Sequence, residues 1–563
     1  LTKKNIGKSI AIVLDGRVYS FPNVEDAITG GISSITGNFT FEDAKTLASV
    51  LKAGKLPTPA NIVEQAIVGP SLGKKAINAG LTSLAISFLL ILAYIFFFYG
   101  KSGLNANVAL ISNVFILMGT LAALGATLTL PGLTGIVLTL GMAVDANVLI
   151  YERIKEELRA GKGLKLAISD GYKHAYSAII DSNITTLLIA LILMIMGAGP
   201  VKSFAVVLFW GILTSLFTAI FISRLIFEWQ MKRKMTITFS TKLTENFLQN
   251  VNFNFTGHRK ISYTITGTIM IVCIASFFLK GFNLGVDLQG GRSYTVVFDN
   301  TKITTPDIAN ALEAKFGTAP TVKFYGSSDH VKIVTKYRYN DSGEGVDKEI
   351  ESEMYEALAP FYAQKISLED FTDKEGIGIS ESYKVGPTVA RDVKVKSVWA
   401  VILSLVMMFI YILFRFKGWQ YGLGATVALI HDVIFVLGVF SIFDGILPFN
   451  LEIDQSIIAA VLTVIGYSIN DTVIIFDRIR EFISEGKQGK ISNLINAALN
   501  STLSRTINTS MTVFIVLIIA FLFGGEAIKG LSFAILIGVV VGTYSSIFIA
   551  TPIIIDSNKR KEN

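Results

Sequence analysis

Three charged residues interrupt segments that are otherwise apolar: Asp145, Asp471 and Arg505. A charged side chain deep in a membrane costs several kcal/mol, so each of them is a candidate functional residue. Asp145 lies about six residues, roughly 9 Å at the helical rise, from the end of its apolar segment, and Asp471 lies at nearly the same depth. A carboxylate beside an arginine can alternate between a paired and a protonated form. These residues therefore predict a proton relay, although a buried Asp–Arg pair can also simply join two helices.

Further polar residues within apolar segments form a second group of candidates. They are Asp181, His431, Asp432, Asn147, Asn470 and Thr472. For the three titratable residues, a relay role and a packing role are equally open. The amide and hydroxyl side chains could form hydrogen bonds between helices, or they could line a path for water.

Other kinds of chemistry lack their usual residues. The chain has no GxxxxGK[ST] loop for a nucleotide phosphate and no nucleophile elbow. Its histidines are scattered with no pair at metal-ligand spacing, and Cys273 is the single cysteine, so we expect neither a metal site nor an internal disulfide. We expect no enzyme and no cofactor, with protons as the coupling ion.

The composition indicates which elements hold these residues. Of the 563 residues, 51% are hydrophobic and 17% are charged, against roughly 25% charged in soluble domains. This excess, with a mean hydropathy of +0.56, excludes a purely soluble, disordered or disulfide-knit chain and predicts a multi-span membrane protein. Eleven apolar windows of spanning length lie at 79–99, 105–126, 132–151, 175–197, 203–223, 261–280, 398–416, 420–442, 455–476, 505–524 and 530–552.

The charges of the loops predict the orientation. Lys and Arg are dense in the loops 99–105, 152–174, 224–260, 415–419, 477–504 and 553–563. The short loops on the opposite side, 127–131, 198–202, 443–454 and 525–529, carry only Lys202 and Lys529. Because basic loops stay in the cytoplasm, the long polar stretches 1–78 and 281–397 are predicted to lie outside. The net charge of +7 is then a topology signal, and it gives no support to nucleic-acid binding.

The two long polar stretches divide the chain. In 281–397, strand and helix patterns follow the order β-α-β-β-α-β, which predicts a ferredoxin-like domain. Stretch 1–78 has two short strand patterns and one helix pattern, and we expect it to be the C-terminal part of a first outer domain. The other predicted divisions are a five-span bundle (79–223), a cytoplasmic linker (224–260), the first span of a second half (261–280), a second five-span bundle (398–552) and a basic cytoplasmic tail (553–563).

The chain contains an internal repeat. The matched segments are 141–154 (GMAVDANVLIYERI) with 466–479 (GYSINDTVIIFDRI), 68–71 with 385–388, and 177–181 with 501–505. Both halves run in the same direction, because Arg153 and Arg478 end their spans at the same face. In transporters with such repeats, the sites for substrate and coupling ion lie near the interface between the two repeats. The second half has six spans and the first has five, so we expect one more span before residue 1.

Several motifs resemble those of one family. They are VDANVLIYERIKEE (144–157), IGYSINDTVIIFDRIR (465–480), ALIHD (428–432), GVDLQGG (285–291), AIVLDG (11–16), ITGNFT (35–40) and VGPSLG (68–73). In this order they resemble the SecD and SecF protein-export family of the resistance–nodulation–division superfamily, in its fused form. The resemblance covers essentially the whole chain. Relative to that family, the N-terminal span and most of the first periplasmic domain are expected to be missing.

The resemblance implies a fold and a function. The fold is an α-helical polytopic membrane protein with two pseudo-symmetric parallel repeats and α+β ferredoxin-like periplasmic domains, in a bacterial inner membrane. The function is that of an accessory subunit of the Sec translocon, which uses the proton-motive force in late steps of preprotein translocation. The implied partners are a SecYEG-type channel, the preprotein, other Sec accessory membrane proteins and lipids. Asp145, Asp471 and Arg505 match the family's key aspartates and arginine.

Two other functions stay open at this point. A proton-driven exporter of small molecules or lipids, from the same superfamily, would need much larger outer domains than 281–397. A static scaffold for the translocon would tolerate the neutralisation of all three buried charges.

Overall fold

A computed structural model describes residues 1–14, 17–31, 34–37, 39–53, 64–248, 251–341, 345–374, 376–484 and 490–558. In these ranges, eleven helices are long and apolar enough to cross a membrane. The predicted number of spans is confirmed, and the chain is an α-helical polytopic membrane protein. Most of the helices begin earlier than the apolar windows do, because polar residues at the membrane surface continue the same hydrogen-bond ladder.

Leu1–Val63 form a compact unit of their own. In it, β1 (Ile12–Leu14) pairs antiparallel with β2 (Arg17–Ser20), and α1 (Phe41–Ala53) follows. The hydroxyl of Thr40 accepts from the Asp43 N–H at 3.2 Å, and the Asp43 carboxylate accepts from the Thr40 N–H at 3.3 Å. This reciprocal cap explains why α1 begins here. The two strand patterns and the helix pattern predicted for this stretch are present.

The first membrane half begins with β3 (Glu64–Val68), which leads through Gly69 into the first span. Its helices are α2 (Pro70–Tyr99), α3 (Lys101–Ala123), α4 (Leu130–Ala143), α5 (Asp145–Arg159), α6 (Leu164–Met196), α7 (Gly199–Phe217) and α8 (Ser223–Lys232). The span formed by α4 and α5 is interrupted at Val144, directly before Asp145. A π-helical turn, Thr218–Ile222, joins α7 to α8.

The second half begins with α9 (Arg259–Leu279), after which the chain leaves the bundle and forms an α+β domain. The elements of this domain are α10 (Val286–Gln289), β4 (Gly291–Val297), α11 (Thr305–Phe316), β5 (Thr321–Tyr325), β6 (Ser327–Thr335), α12 (Val346–Leu358), α13 (Leu368–Thr372) and β7 (Gly378–Val385). Four of its strands pair antiparallel in the order β7-β4-β6-β5. The predicted β-α-β-β-α-β pattern is present.

A fifth strand joins this sheet from the other half of the chain. Strand β3 pairs antiparallel with β7, with Glu64 opposite Val385 and Val68 opposite Glu381. These two strands are the repeat-related segments that precede the first spans of the two bundles. The sheet therefore connects both halves directly, through α2 on one side and the following helix on the other.

The remaining helices repeat the first bundle. They are α14 (Pro387–Phe416), α15 (Trp419–Phe443), α16 (Gln455–Ser484), α17 (Ile491–Phe523), α18 (Glu526–Ser545) and α19 (Thr551–Asn558), with a π-helical turn at Ser546–Ala550. This turn matches Thr218–Ile222 of the first half. The α4–α5 span and α16 are the two central helices, since 89% of the apolar window of each is buried.

Helices α6 and α17 cross between the halves. Helix α17 packs on α4 of the first half, and α6 packs on α16 of the second. Both crossings are built at glycines, because a small residue lets two helix backbones approach closely. The hydroxyl of Thr512 lies 3.4 Å from the carbonyl of Gly141, and that of Thr186 lies 3.3 Å from the carbonyl of Gly466. Each half thus contributes one helix to the centre of the other.

Candidate functional site

The crossing of α17 over the first half brings the three charged residues together. Arg505 Nη2 lies 2.8 Å from Asp145 Oδ1, and Arg505 Nη1 lies 3.4 Å from Asp471 Oδ1. The side chains of Arg505 and Asp471 are 4% and 1% exposed, and that of Asp145 is 13% exposed. We call Asp145, Asp471 and Arg505 the triad. Its position at the contact between the two repeats agrees with the sequence prediction.

Neutral groups complete the contacts of the two carboxylates. Asn470 donates from Nδ2 to Asp145 Oδ2 at 2.8 Å, and Thr543 donates to Asp471 Oδ2 at 3.4 Å. Asn470 occupies the repeat position of Asp145, so α16 provides both this amide and the carboxylate of Asp471. The interruption of the helix at Val144 places Asp145 as the first residue of α5.

The triad holds one cation for two carboxylates. If both acids were ionised, a net negative charge would lie in a buried site, which is strongly unfavourable in a membrane interior. Arg505 can balance the charge of only one of the two acids at a time. Arg505 lies within reach of both acids and so joins the two halves at this point.

Several buried polar atoms near the triad have no hydrogen-bond partner within the described ranges. They include Arg505 Nε, Asn470 Oδ1, Asn147 Oδ1, Thr506 Oγ1 and Asn508 Nδ2. Buried polar groups in proteins are normally satisfied by protein atoms or by ordered water. We therefore expect ordered water molecules at these atoms.

Two cavities reach residues of the triad. A cavity of about 270 Å³ reaches Arg505 from the end of the bundle opposite to the sheet, and it is also lined by Arg153, Asp477 and Arg478. A cavity of about 20 Å³ lies beside Asp145 and is lined by Asn183 and other polar residues. About 10–15 Å³ is enough for one water molecule. Arg505 thus borders a wide cavity, and Asp145 borders a space large enough for a single water molecule.

Four charged residues link the halves at the mouth of the larger cavity. Arg153 lies 2.9 Å from Glu481, and Arg478 lies 3.3 Å from Glu156. Each arginine also pairs with the glutamate three residues later on its own helix, at 2.9 Å. Arg153 and Arg478 are the repeat-related residues that end the central spans, and the two glutamates were not among the sequence candidates.

Asp432 and its neighbours lie within the second half, away from Arg505. Asp432 Oδ1 is 3.0 Å from His431 Nδ1, and Asp432 Oδ2 accepts from Ser468 at 2.6 Å and from Ser545 at 2.8 Å. Thr472 lies 2.8 Å from Ser546, in the π-helical turn. These polar contacts join α15, α16 and α18, and none of them reaches the first half.

Asp181 is also separate from the triad. It is bound by Arg415 and Tyr411 of α14, which the sequence reading did not single out. The one available signal was the repeat, because Tyr411 of α14 matches Tyr94 of α2 when the motifs at 68–71 and 385–388 are aligned. A lone arginine at the end of a span is ordinary at a membrane interface.

The described ranges contain no group of three or more His, Cys, Asp or Glu side chains that could hold a metal ion. The absence of a cofactor stays a prediction from the sequence.

The chain matches known families along most of its length. Residues 50–233 and 366–560 match the family described as protein export membrane protein SecD/SecF, C-terminal. Residues 1–58 match the SecDF P1 head subdomain, and residues 275–302 match the SecD/SecF GG motif. The match to the head subdomain thus falls within the first compact unit.

Relatives named protein translocase subunit SecDF match nearly the whole of this chain. The protein from Thermus thermophilus is 37% identical, and the match covers 100% of this chain and 73% of that protein. The protein from Brucella abortus is 33% identical over 99% of this chain and 70% of that protein.

Solved structures give the same result. A crystal structure of the translocon-associated membrane protein SecDF from Thermus has a TM-score of 0.80 at 36% identity, and the match covers 99% of this chain and 73% of that one. A super-membrane-facing form of SecDF matches with a TM-score of 0.69 at 35% identity, over 100% of this chain and 73% of that one. The present chain therefore belongs to the SecDF family of protein export membrane proteins.

Proposed function

We propose that this protein is an accessory subunit of the bacterial Sec translocon and that it uses the proton-motive force to assist late steps of preprotein translocation. The names of its relatives support the translocase role. The triad is the single observation that carries the proton-driven part of the proposal. One arginine between two buried acids of different halves is a site at which binding of a proton changes the contact between the halves.

The proposal includes a location and an orientation. The protein spans the inner membrane, and its basic loops lie in the cytoplasm, as the positive-inside rule requires. The α+β domain and the segment before α2 then lie in the periplasm. There they meet the emerging preprotein, while the membrane helices contact a SecYEG-type channel, other Sec accessory membrane proteins and lipids.

The coupling follows from the contacts of Arg505. A proton on Asp145 removes the charge that holds Arg505 at 2.8 Å and leaves Asp471 as the one ionised partner. Arg505 then moves toward Asp471, which loosens the attachment of α17 to the first half. Because β3–α2 and β7–α14 connect the two bundles to one sheet, a change between the bundles is transmitted to the periplasmic domain.

The proposal is tested with Asp145→Asn and Asp471→Asn in vesicles that contain the translocon and an imposed proton gradient. We expect each variant to lose the stimulation of preprotein export, whereas the exposed Asp392→Asn serves as a matched control and keeps it. Undiminished stimulation in both triad variants would overturn the proton-driven mechanism and would favour a static scaffold. Proton-dependent extrusion of a hydrophobic compound without any effect on export would favour the small-molecule exporter.

A further inference from the structure

A second buried ion pair joins the two halves, at Asp181 of α6 and Arg415 of α14. Arg415 Nε donates to Asp181 Oδ2 at 2.7 Å, and Arg415 Nη2 donates to the same oxygen. Tyr411 donates to Asp181 Oδ1 at 3.1 Å. Arg415 Nη2 also donates to Ser177 at 2.8 Å. The side chains of Asp181 and Arg415 are 12% and 21% exposed, so the pair is largely buried between the helices.

The repeat relates this pair to the triad. Segment 177–181 matches 501–505, so Asp181 occupies in α6 the position that Arg505 occupies in α17. The tyrosines are related in the same way: Tyr94 of α2 donates to Asn508 of α17 at 2.9 Å, as Tyr411 of α14 donates to Asp181 of α6. The crossing of α17 over the first half and the crossing of α6 over the second half therefore have the same architecture, but they differ in the charged residues that they contain.

The two crossings also differ in how completely they are paired. The triad has one cation for two acids, and Arg505 Nε lacks a partner within the described residues. At the other crossing, Asp181 pairs with Arg415 and both oxygens of Asp181 accept hydrogen bonds, while Arg415 Nη2 also lies 3.8 Å from Asp477. The neighbouring Asp477 has its own partner, Arg480, at 2.6 Å. This site therefore holds two acids and two arginines, Asp181 and Asp477 with Arg415 and Arg480, whereas the triad holds two acids and one arginine.

The helix that carries Arg415 leads to the sheet. Helix α14 is continuous from Pro387 to Phe416, which is about 45 Å at the helical rise, and Gly386 alone separates it from β7. A displacement of α6 in the first half can thus act on the sheet through Arg415 and a single rigid element.

We propose that Asp181 and Arg415 form a latch between the halves: they take no part in the proton relay, and they transmit the movement started at the triad through α14 to the α+β domain. This inference rests on the proposed function, because the latch can transmit a movement only if protonation of the triad moves the two halves relative to each other. Asp181 and Arg415 are therefore positioning residues.

The test measures proton uptake and preprotein export in the same energised vesicles, for Asp181→Asn and Arg415→Gln. We expect proton uptake to continue while export falls by about fivefold or more, the lower end of typical coupling between sites. A merely structural defect would lower both readouts together. The double variant D181N/R415Q leaves no unpaired charge, so its thermal unfolding shows whether the fold is kept while the coupling is lost.

A matched pair of milder variants sharpens the test. Tyr411→Phe removes one hydrogen bond of the latch and should raise the number of protons taken up per exported chain, whereas Tyr94→Phe, at the repeat-related position, should not. Loss of proton uptake in D181N would overturn the latch and assign Asp181 to the relay. Unchanged export in D181N, R415Q and the double variant would also overturn it. Failure of the proposed function is seen separately, as normal uptake and export in D145N.

Discussion

Arg505 belongs to the second half of the chain, yet its shorter ion pair, at 2.8 Å, is with Asp145 of the first half. The acid of its own half, Asp471, is 3.4 Å away. One side chain thus joins the halves and neutralises the site at the same time. Whatever changes the charge of Asp145 also changes the attachment of α17 to the first bundle.

Removal of Arg505 should destabilise the protein strongly. Arg505→Gln leaves Asp145 and Asp471 buried without a cation, and loss of one partner of a buried pair typically costs about 3–5 kcal/mol. We expect a clear fall in the melting temperature of the detergent-solubilised protein. Adding D145N and D471N to R505Q removes the uncompensated acids and should recover much of the loss. A melting temperature of R505Q equal to that of the parent would contradict the ion pairs described for the triad.

The close crossing of α17 over α4 should be sensitive to a single methyl group. At Gly141, an added Cβ would lie 3.1 Å from the Cα of Val513, so Gly141→Ala must displace α17, at the typical overpacking cost of about 1–3 kcal/mol. At the repeat-related Gly466, the nearest atom is a side-chain atom of Ile189 at 3.4 Å, an ordinary contact. We expect G141A to lower both the melting temperature and export, and G466A to change neither appreciably. Equal effects would show that the crossings are equally tight.

Much of this molecule could be predicted from the sequence, because a charge in an apolar window is a strong signal. The spans and the triad residues were found in this way. Arg415 was missed because it lies at the end of a span, where arginines are common. The pairing of β3 with β7 was missed because hydrophobic periodicity identifies a strand but not a partner more than 300 residues away.

The pairing of β3 with β7 should depend on Gly69. The Gly69 N–H donates to the carbonyl of Ser380 at 2.7 Å, and an added Cβ would lie 2.1 Å from the carbonyl oxygen of Lys374. Gly69→Ala must therefore displace the strand edge. We expect weaker disulfide formation between V68C and E381C, which lie opposite each other, when G69A is present.

Gly73→Ala is the matched control for Gly69→Ala. An added Cβ at Gly73 would lie 3.9 Å from Val68, within ordinary contact distance, so the crosslink should form as in the parent. If G69A and G73A crosslink equally well, the close approach at Gly69 does not hold β3 on the sheet.

Acidic residues at the base of the α+β domain should make its attachment pH-dependent. The Gly285 N–H donates to the carbonyl of Ile453 at 2.9 Å, in the loop before α16. Burial raises the pKa of the neighbouring Asp454 from 3.8 to about 7, and the nearby acids Asp287 and Glu452 act in the same direction. An acid with a raised pKa keeps its proton when docked and loses it when exposed, so its contribution to docking is lost as the pH rises from about 4 to about 7.

A neighbouring ion pair, Lys332 with Glu452, does not alter this pH range. Lys332 lies 2.7 Å from Glu452 and, against the effect of burial, lowers the pKa of that carboxyl, so this pair weakens only at pH values below the ordinary range of Glu452. Burial also raises the pKa of Asp287, so Asp454 and Asp287 are the acids expected to act between pH 5.5 and 8. After correction for intrinsic exchange, we expect the Gly285 amide to exchange more slowly at pH 5.5 than at pH 8. Asp454→Asn, which cannot ionise, should reduce the difference, and the double variant D287N/D454N should remove it. A difference that is unchanged in D454N would mean that another group controls the attachment.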